Sequence, residues 1–306
     1  MANGKCVEQE QWERAYHGDH HIGFSHSGGP PMSGRMDSFG LILPRHAISP
    51  LGFARAGCLW RLCQDAAVMS SEERGWSPQR YDEESVAFIA SQMTVQHDGM
   101  LLWGESVEAR TWVRDFRRGI LSKRQVELWK GQTRVLSATQ QWVHVSRVMD
   151  NGVATVRPAR ASDALLAAFE PLEGVGEEVR LLDCESEQGQ WHRVGLEVWH
   201  TWMDPLGHAN HPAYLDWCDE ALARLVSQLG HDPHRLIPVA EQVRWRREVV
   251  APTSLVVQTQ RVGHTTQGAI RFAHRICSPD GEILYAEAIT DRRMLEETGD
   301  WSVGLA

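Results

Sequence analysis

A short run in the second half of the chain places a carboxylate, an imidazole and a carboxamide close together. It starts at Asp204 and continues Pro-Leu-Gly-His-Ala-Asn, which brings His208 and Asn210 in after the carboxylate. A carboxylate can take a proton from water or attack a carbonyl group directly, and an imidazole can assist the proton transfer or orient the carboxylate. Gly207 lets a substrate approach the backbone closely. Asn210 can fix the turn or a substrate carbonyl.

Each of these residues also has a structural interpretation. An aspartate before a proline is commonly a cap or turn residue, His208 can make a structural hydrogen bond, and Asn210 can cap the segment that follows. Glu248 is a second candidate carboxylate, but it reaches the others only through the fold and can equally pair with an arginine beside it. The residue types alone leave both interpretations open.

The elements that must position these groups occur twice. At an offset of 155 residues, positions 40–80 align without a gap on positions 195–235, with eleven identities over 41 positions. About two or three identities are expected by chance from ordinary composition. The turn Pro50-Leu51-Gly52 falls on Pro205-Leu206-Gly207. A long ungapped match of this kind predicts an internal duplication.

Both halves show the same predicted order of elements. A strand at 36–48 or 191–203 precedes the Pro-Leu-Gly turn, and a helix at 56–74 or 211–229 follows it and ends at a glycine suited to the left-handed conformation. Alternation and strand-forming residues then predict four antiparallel strands in each half: near 86–97, 103–115, 118–130 and 133–147, and near 238–250, 253–263, 267–276 and 283–293.

These elements divide the chain into four parts. Residues 1–35 are polar, and we expect a mobile or loosely docked arm whose histidines belong to a flexible tail. Residues 36–150 are the first copy and residues 190–306 the second. Residues 151–189 are expected to link the two copies and to contain one short helix at 164–169.

Composition excludes several classes of protein. The net charge of −9 argues against a nucleic-acid binder that relies on a global basic field. Neither a membrane span nor a signal or transit peptide is predicted, because the chain contains no run of 18 apolar residues and no apolar segment at its start. The six scattered cysteines form no Cys-x-x-Cys pair. They predict reduced thiols in a cytoplasmic protein, without a metal site.

Residues 202–221 carry a resemblance to a known family. Their pattern Asp-x-x-Gly-His-x-Asn-x-x-x-Tyr-Leu, followed by Glu-Ala, resembles the signature of the 4-hydroxybenzoyl-CoA-thioesterase-like hotdog enzymes. The duplication, together with the stretches 108–113 and 244–248, is similar to the acyl-ACP thioesterases of plants and bacteria. The resemblance implies an α+β fold, a tandem double hotdog in which an antiparallel sheet wraps a long central helix in each copy. It places the active site in the second copy.

The chain departs from the plant enzymes at two positions of the site. Leu206 stands where they have asparagine, and Val249 stands where they often have cysteine, whereas Glu248 is kept. These departures leave the simpler arrangement of aspartate, Gly-His and asparagine found in the CoA thioesterases.

The resemblance implies an acyl thioesterase that converts acyl-ACP or acyl-CoA to a free acid and the carrier thiol, without a cofactor. Asp204 is implied as base or nucleophile, together with His208, Asn210 and Glu248. Gly207, His208 and the first N–H groups of the following helix would receive the substrate and stabilise the oxyanion. A further expectation is that Arg246 and Arg247 dock an acidic carrier protein or a CoA phosphate.

Two other functions stay open at this stage. A hotdog hydratase or dehydratase of 3-hydroxyacyl chains is disfavoured, because its familiar motif separates aspartate and histidine by five positions with asparagine between them. A non-catalytic acyl-binding protein would not need the whole polar set in one copy. The oligomeric state also stays open between monomer and homodimer, since the duplication already supplies the pair of hotdogs that single-copy members obtain by dimerisation.

The first copy serves as an internal comparison. It has Ser49 where the second copy has Asp204, Phe53 where the second has His208, and an arginine where the second has asparagine. A serine without a nearby base is a poor nucleophile. The sequence therefore predicts one active site per chain, in the second copy.

Overall fold

The first copy begins with a strand, a turn and a long helix, in the predicted order. The computed structural model describes residues 34–150, 153–187 and 189–295. Most of the expected arm, including its histidines, lies outside the described residues. The elements of the first copy are β1 (Asp37–Ile42), α1 (Ala56–Glu73), α2 (Pro78–Glu83), β2 (Val86–His97), β3 (Ser106–Arg117), β4 (Leu121–Lys130) and β5 (Thr133–Asp150).

The connection between the copies contains more regular structure than we expected. Its helix α3 (Asp163–Ala168) matches the predicted short helix, but two strands accompany it, β6 (Val153–Pro158) and β7 (Cys184–Ser186). Strand β6 pairs with β5, so it extends the sheet of the first copy. The prediction of a plain linker missed these strands because short edge strands carry little alternation of their own.

The second copy repeats the first, with a single 3₁₀ turn at Pro233–Arg235 in the place of α2. Its elements are β8 (His192–Val198), α4 (Ala213–Gln228), β9 (Leu236–Trp245), β10 (Thr253–Thr265), β11 (Ile270–Cys277) and β12 (Leu284–Met294).

All of these strands join one antiparallel sheet. The first copy contributes the order β1-β3-β4-β5-β2, and the second continues it as β9-β12-β11-β10, with β7 and β8 both paired to β10. The copies meet where residues 92–96 of β2 pair with residues 240–244 of β9. This is the predicted α+β tandem double hotdog, with a single continuous sheet across its centre.

The two long helices pack on the sheet and touch each other. Helix α1 contacts β3 and β4, and α4 contacts β10. Cys63 and Cys218 occupy equivalent positions in the two helices, and both are fully buried among apolar neighbours. Where the helices meet, Arg61 of α1 donates to Asp216 of α4 at 2.5 Å. These two residues are also equivalent by the 155-residue offset, so the contact lies where the copies meet symmetrically.

Both helices end at the predicted glycines. Gly75 and Gly230 have φ values of +76° and +84°. In each case the residue after the glycine donates its N–H five positions back, from Trp76 to Ser71 and from His231 to Val226. This is the capping pattern that a left-handed glycine permits.

The strands before the two Pro-Leu-Gly turns are shorter than predicted. They end at Ile42 and Val198, and a single turn of 3₁₀ helix follows each of them. They end there because their partner strands begin opposite, at Ser106 and Thr253, so no ladder continues beyond these pairs. We expected Asp204 to follow directly after a strand. Instead it follows the 3₁₀ turn. Among the described residues, no helix combines the length and apolar character that crossing a bilayer requires.

Candidate functional site

The turn that carries Asp204 is held by its own backbone. The Asp204 amide donates to the His208 carbonyl at 2.8 Å, and the Gly207 amide donates to the Asp204 carbonyl at 2.9 Å. Gly207 has a φ of +82°, which an L-residue rarely adopts. A Cβ built on Gly207 would meet no atom within 4 Å, so the glycine is required by the backbone conformation rather than by a neighbouring side chain.

The Asp204 carboxylate uses its two oxygens differently. Oδ1 accepts a hydrogen bond from the Leu206 amide at 2.8 Å, which is the side-chain turn contact expected from the structural interpretation. Oδ2 lies 3.5 Å from Nδ1 of His208. The side chains of Asp204 and His208 are 14% and 23% exposed. One oxygen thus fixes the turn, while the other lies close to the imidazole of a side chain that is itself partly exposed.

Asn210 contributes its backbone to the start of helix α4. Its amide donates to the Trp202 carbonyl at 2.9 Å, and its carbonyl accepts from the Ala213 amide at 2.8 Å. Its side chain caps nothing, because Oδ1 is buried without a hydrogen-bond partner among the described residues. Of the two roles that the sequence left open, side-chain capping is therefore absent here.

The start of helix α4 faces this turn. Pro212 precedes the helix and makes no side-chain cap. The amides of Leu215 and Asp216 donate to the Pro212 carbonyl at 3.1 and 3.3 Å. The hydrogen bonds at this helix start thus come from the amides of Ala213, Leu215 and Asp216, and none of them involves the amide of Tyr214. The predicted oxyanion role of this helix end stays a prediction, and the Tyr214 amide is its best candidate.

Tyr214 connects Glu248 with the turn. Its hydroxyl donates to the Arg247 carbonyl at 3.3 Å and accepts from the Val249 amide at 3.1 Å, on either side of Glu248. Burial raises the pKa of Tyr214, and the charges of Glu248 and Asp204 raise it further. The Ala209 amide donates to the Val249 carbonyl at 2.8 Å, so Glu248, which is exposed, lies in the segment next to the motif. Its role stays a prediction.

Sequence reasoning missed His211, which lies between two tryptophans. Its ring centroid is 5.7 Å from that of Trp142 on β5 and 5.3 Å from that of Trp245 on β9. Burial lowers the pKa of His211 to about 3, and the positive charges of Arg61 and His208 act in the same direction. The only signal in the sequence was its place next to Asn210, because Trp142 comes from the other copy.

The two arginines proposed for docking differ in their surroundings. Arg246 forms an ion pair with Glu287 at 2.7 Å, and both side chains are about half exposed. Arg247 is exposed, and its side chain forms no ion pair among the described residues. Both follow directly after β9, in the segment that also carries Glu248.

The first copy has the same backbone frame around Gly52. The Ser49 amide donates to the Phe53 carbonyl at 2.8 Å, the Gly52 amide donates to the Ser49 carbonyl at 2.9 Å, and φ of Gly52 is +89°. These values match those around Gly207. The prediction that the duplication kept the frame of the turn in both copies is confirmed.

The second copy matches a known protein superfamily. Residues 198–296 match the model of the thioesterase-like superfamily. No match to the chain was found among curated protein sequences.

Three solved structures resemble the whole tandem arrangement. A Lactobacillus plantarum protein named as an oleoyl thioesterase is 17% identical, with a TM-score of 0.69 over 86% of this chain and 98% of that one. An acyl-ACP thioesterase from Bacteroides thetaiotaomicron is 13% identical, with a TM-score of 0.64 over 84% and 98%. The 12:0-ACP thioesterase from Umbellularia californica is 13% identical, with a TM-score of 0.64 over 85% and 94%.

These findings confirm two predictions, one about the fold and one about the class of enzyme. The three structures share the fold, so the tandem double hotdog is confirmed. The superfamily match confirms the resemblance in the second copy, and with it the class of enzyme, a thioester hydrolase. The carrier, the acyl group and the roles of the individual residues stay predictions.

Proposed function

Starting from a second copy that matches the thioesterase-like superfamily, we propose that the chain hydrolyses acyl-ACP or acyl-CoA to a free acid and the carrier thiol. The fold shared with an acyl-ACP thioesterase from Bacteroides thetaiotaomicron supports this choice of substrate class. The observation that carries the proposal is the pair of Asp204 Oδ2 and His208 Nδ1, 3.5 Å apart, in a turn whose Ala209 amide is hydrogen-bonded to the carbonyl of the residue after Glu248.

Asp204 would act as base or as nucleophile. As a base, its Oδ2 accepts a proton from water while the water oxygen bonds to the thioester carbonyl carbon. The tetrahedral intermediate then expels the thiolate by breaking the C–S bond, and the thiolate takes up a proton to leave as the carrier thiol. As a nucleophile, the carboxylate would itself bond to the carbonyl carbon, and the C–S bond would break to expel the thiolate, which takes up a proton. Water would then hydrolyse the resulting anhydride to the free acid and restore the Asp204 carboxylate.

The remaining groups would act around this step. His208 is placed to orient Asp204 or to carry a proton to the leaving sulfur. The Tyr214 amide at the start of α4 would donate to the oxyanion, at the end of the helix where the dipole favours negative charge. Asn210 and Glu248 would contact the substrate or the water. The first copy, through Trp142 beside His211, would form part of the wall of the site.

A thiol-release assay tests the proposal. Purified protein is incubated with a panel of acyl-CoA and acyl-ACP thioesters of varied chain length, and the released thiol is titrated. We expect release from some members of the panel, and release at least about 100-fold slower from the Asp204→Asn variant under the same conditions. Dehydration of 3-hydroxyacyl thioesters without thiol release would instead indicate the hydratase reaction, and binding without turnover would indicate an acyl-binding protein.

A further inference from the structure

An ion pair joins the two long helices, and Arg61 of the first copy makes it. Its Nη2 donates to Oδ2 of Asp216 on α4 at 2.5 Å, and its Nη1 donates to Oδ1 of the same carboxylate at 3.3 Å. Nη1 also donates to the Gly57 carbonyl, one turn earlier in α1, at 2.9 Å. The guanidinium therefore ties the first turn of one helix to the first turn of the other.

The Asp216 carboxylate lies against a helix position that has no side chain. A Cβ built on Gly57 would lie 1.9 Å from Oδ1 of Asp216, a separation that no real Cβ tolerates. Gly57 is buried, and inside a helix glycine is less favourable than alanine. The close approach of the carboxylate is the physical reason for a glycine at this position.

This contact requires two different copies. Arg61 and Asp216 are equivalent by the 155-residue offset, so two identical copies would place the same residue opposite itself. Arginine would then face arginine, or aspartate would face aspartate, and the like charges would repel each other. The equivalent of Gly57 is Pro212, which has a side chain. The first copy thus supplies both the arginine and the space for the carboxylate.

Asp216 belongs to the helix turn that carries the candidate oxyanion donor. It lies in the first turn of α4, and its amide donates to the Pro212 carbonyl at 3.3 Å. The Ala213 amide donates to the Asn210 carbonyl at 2.8 Å, so the same turn is continuous with the motif. The Tyr214 amide lies inside this turn and moves with it. A misplacement of about 1 Å in a reaction site can cost about 100-fold in rate.

Another ion pair on α4 makes no connection of this kind. Arg224 donates to Glu220, four residues earlier on the same helix, at 2.7 Å, and both side chains are about half exposed. The side chains of Arg61 and Asp216 are about one-third exposed. Because the Arg224 pair stays within one helix, it does not set the position of α4 against the first copy.

We propose that Arg61 is a positioning residue for the reaction in the second copy: through Asp216 and the space at Gly57, it fixes the start of α4 against the first copy. This inference rests on the proposed thioesterase function. Arg61 exchanges no proton and forms no bond to the substrate. It keeps the Tyr214 amide where the oxyanion develops, so its effect is expected on kcat rather than on KM.

The test pairs Arg61→Met with Arg224→Met. Methionine keeps the apolar stem of arginine and removes the guanidinium, so each variant loses one positive charge and one ion pair. Because Arg61→Met releases the start of α4, we expect kcat to fall by about 10- to 100-fold with little change in KM. Arg224→Met should keep the parent kcat. Denaturation midpoints measured alongside show that both variants are folded at the assay temperature.

Two further variants separate position from charge. Gly57→Ala keeps both charges and favours the helix, but its Cβ displaces the Asp216 carboxylate, so we expect kcat to fall as in Arg61→Met. Arg61→Lys keeps the charge without the planar fork that reaches the carboxylate and the Gly57 carbonyl together. Its kcat should lie between those of Arg61→Met and the parent.

The outcomes distinguish the inference from the function on which it rests. Arg61→Met at the parent kcat overturns the inference, and so do equal losses of kcat in Arg61→Met and Arg224→Met. A loss in Arg61→Met with Gly57→Ala at the parent kcat would mean that the charge acts on the reaction by itself, which refutes the positioning role. Parent protein that releases no thiol from any thioester refutes the proposed function instead.

Discussion

The two Pro-Leu-Gly turns share a backbone and differ in what their side chains can reach. In the first copy, the hydroxyl oxygen of Ser49 is buried and has no hydrogen-bond partner among the described residues. In the second copy, Asp204 holds its turn through Oδ1, and its Oδ2 lies 3.5 Å from His208 in a partly exposed side chain. One backbone frame therefore encloses an inert hydroxyl in one place and presents a carboxylate in the other.

The segment that faces each turn differs in the same way. Leu101 and Val249 are equivalent, because the carbonyl of each accepts a hydrogen bond of 2.8 Å from the alanine after the turn. Met100 therefore stands in the first copy where Glu248 stands in the second. Both acidic groups of the site, Asp204 and Glu248, therefore lie in the second copy, in two separate segments of the chain.

Different residues of each turn specify the fold and the chemistry of this molecule. Glycine at a positive φ and the backbone bonds around it are needed in both copies, since they start the central helices. Aspartate, histidine and glutamate are not needed for that, because serine, phenylalanine and methionine occupy the same frame. Acid–base side chains that the frame does not require point to a reaction.

The largest expected effect comes from removing the charge of Asp204. Asp204→Asn keeps the size of the side chain and its acceptor for the Leu206 amide, but it removes the base. We expect kcat to fall by about 10²–10⁴-fold, the usual contribution of general acid–base catalysis, with little change in the free energy of unfolding. Steady-state kinetics on the best thioester of the panel measures this effect.

Ser49→Ala is the matched control in the first copy. It removes a buried hydroxyl without a partner, so stability should stay or rise slightly and kcat should stay within a few-fold of the parent. If Ser49→Ala loses turnover, or Asp204→Asn keeps it, the assignment of the active copy is wrong.

Repetition made most of the fold predictable. Eleven identities at one offset located both helices, and alternation located the strands that follow them. The end of the strand before each turn was placed several residues too late, because a strand ends where its antiparallel partner offers no further residue to pair with. Sequence patterning within Phe39–Ile48 does not contain that information. The strands of the connecting segment were missed since they lie at sheet edges.

The site was predictable only where its residues are neighbours in sequence. The run from Asp204 to Asn210 forms one turn, so spacing described it well. Glu248 was reached through the resemblance, and the hydrogen bonds of Tyr214 now give the physical reason for its position. His211 could not be singled out, because its environment is made by Trp142 and other residues that only the fold brings together.

The buried imidazole of His274 in the second copy should make the protein sensitive to acid. His274 has a pKa of about 3 in the folded protein, below its ordinary value near 6.5. Between these values the unfolded chain binds the extra proton, so stability falls as the pH falls through this window, by about 1.4 kcal/mol per pH unit. The first copy has Gln125, which does not titrate, hydrogen-bonded to Thr139 in its interior.

The variant His274→Gln tests this difference. Glutamine does not titrate, so we expect the slope of unfolding free energy against pH to decrease by about 1.4 kcal/mol per pH unit between pH 6 and pH 4. Denaturant titrations across that range measure the slope. An unchanged slope would mean that His274 is not held neutral in the folded state.

Replacing each turn glycine by alanine should separate the effect of the turn on stability from its effect on catalysis. Gly52→Ala and Gly207→Ala each force a Cβ into a left-handed conformation, and each should lower the free energy of unfolding by about 1–2 kcal/mol. Only Gly207→Ala should also lower kcat/KM, because only that turn presents the carboxylate. Equal losses of kcat/KM in the two variants would indicate that the first turn takes part in the reaction.

The smallest expected effect concerns docking of the carrier by Arg247. Because Arg247 is exposed beside Glu248 and forms no ion pair among the described residues, its charge is available to an acidic partner. An exposed ion pair is worth up to about 1 kcal/mol, so Arg247→Glu should raise KM for acyl-ACP by roughly fivefold and leave kcat unchanged. The change should grow as salt is lowered, since screening then weakens.

Arg45→Glu, at an exposed position near the first turn, changes the net charge by the same amount and should leave KM unaltered. If the two variants match each other at low ionic strength, the arginine acts through the overall charge of the protein, and the docking role is refuted.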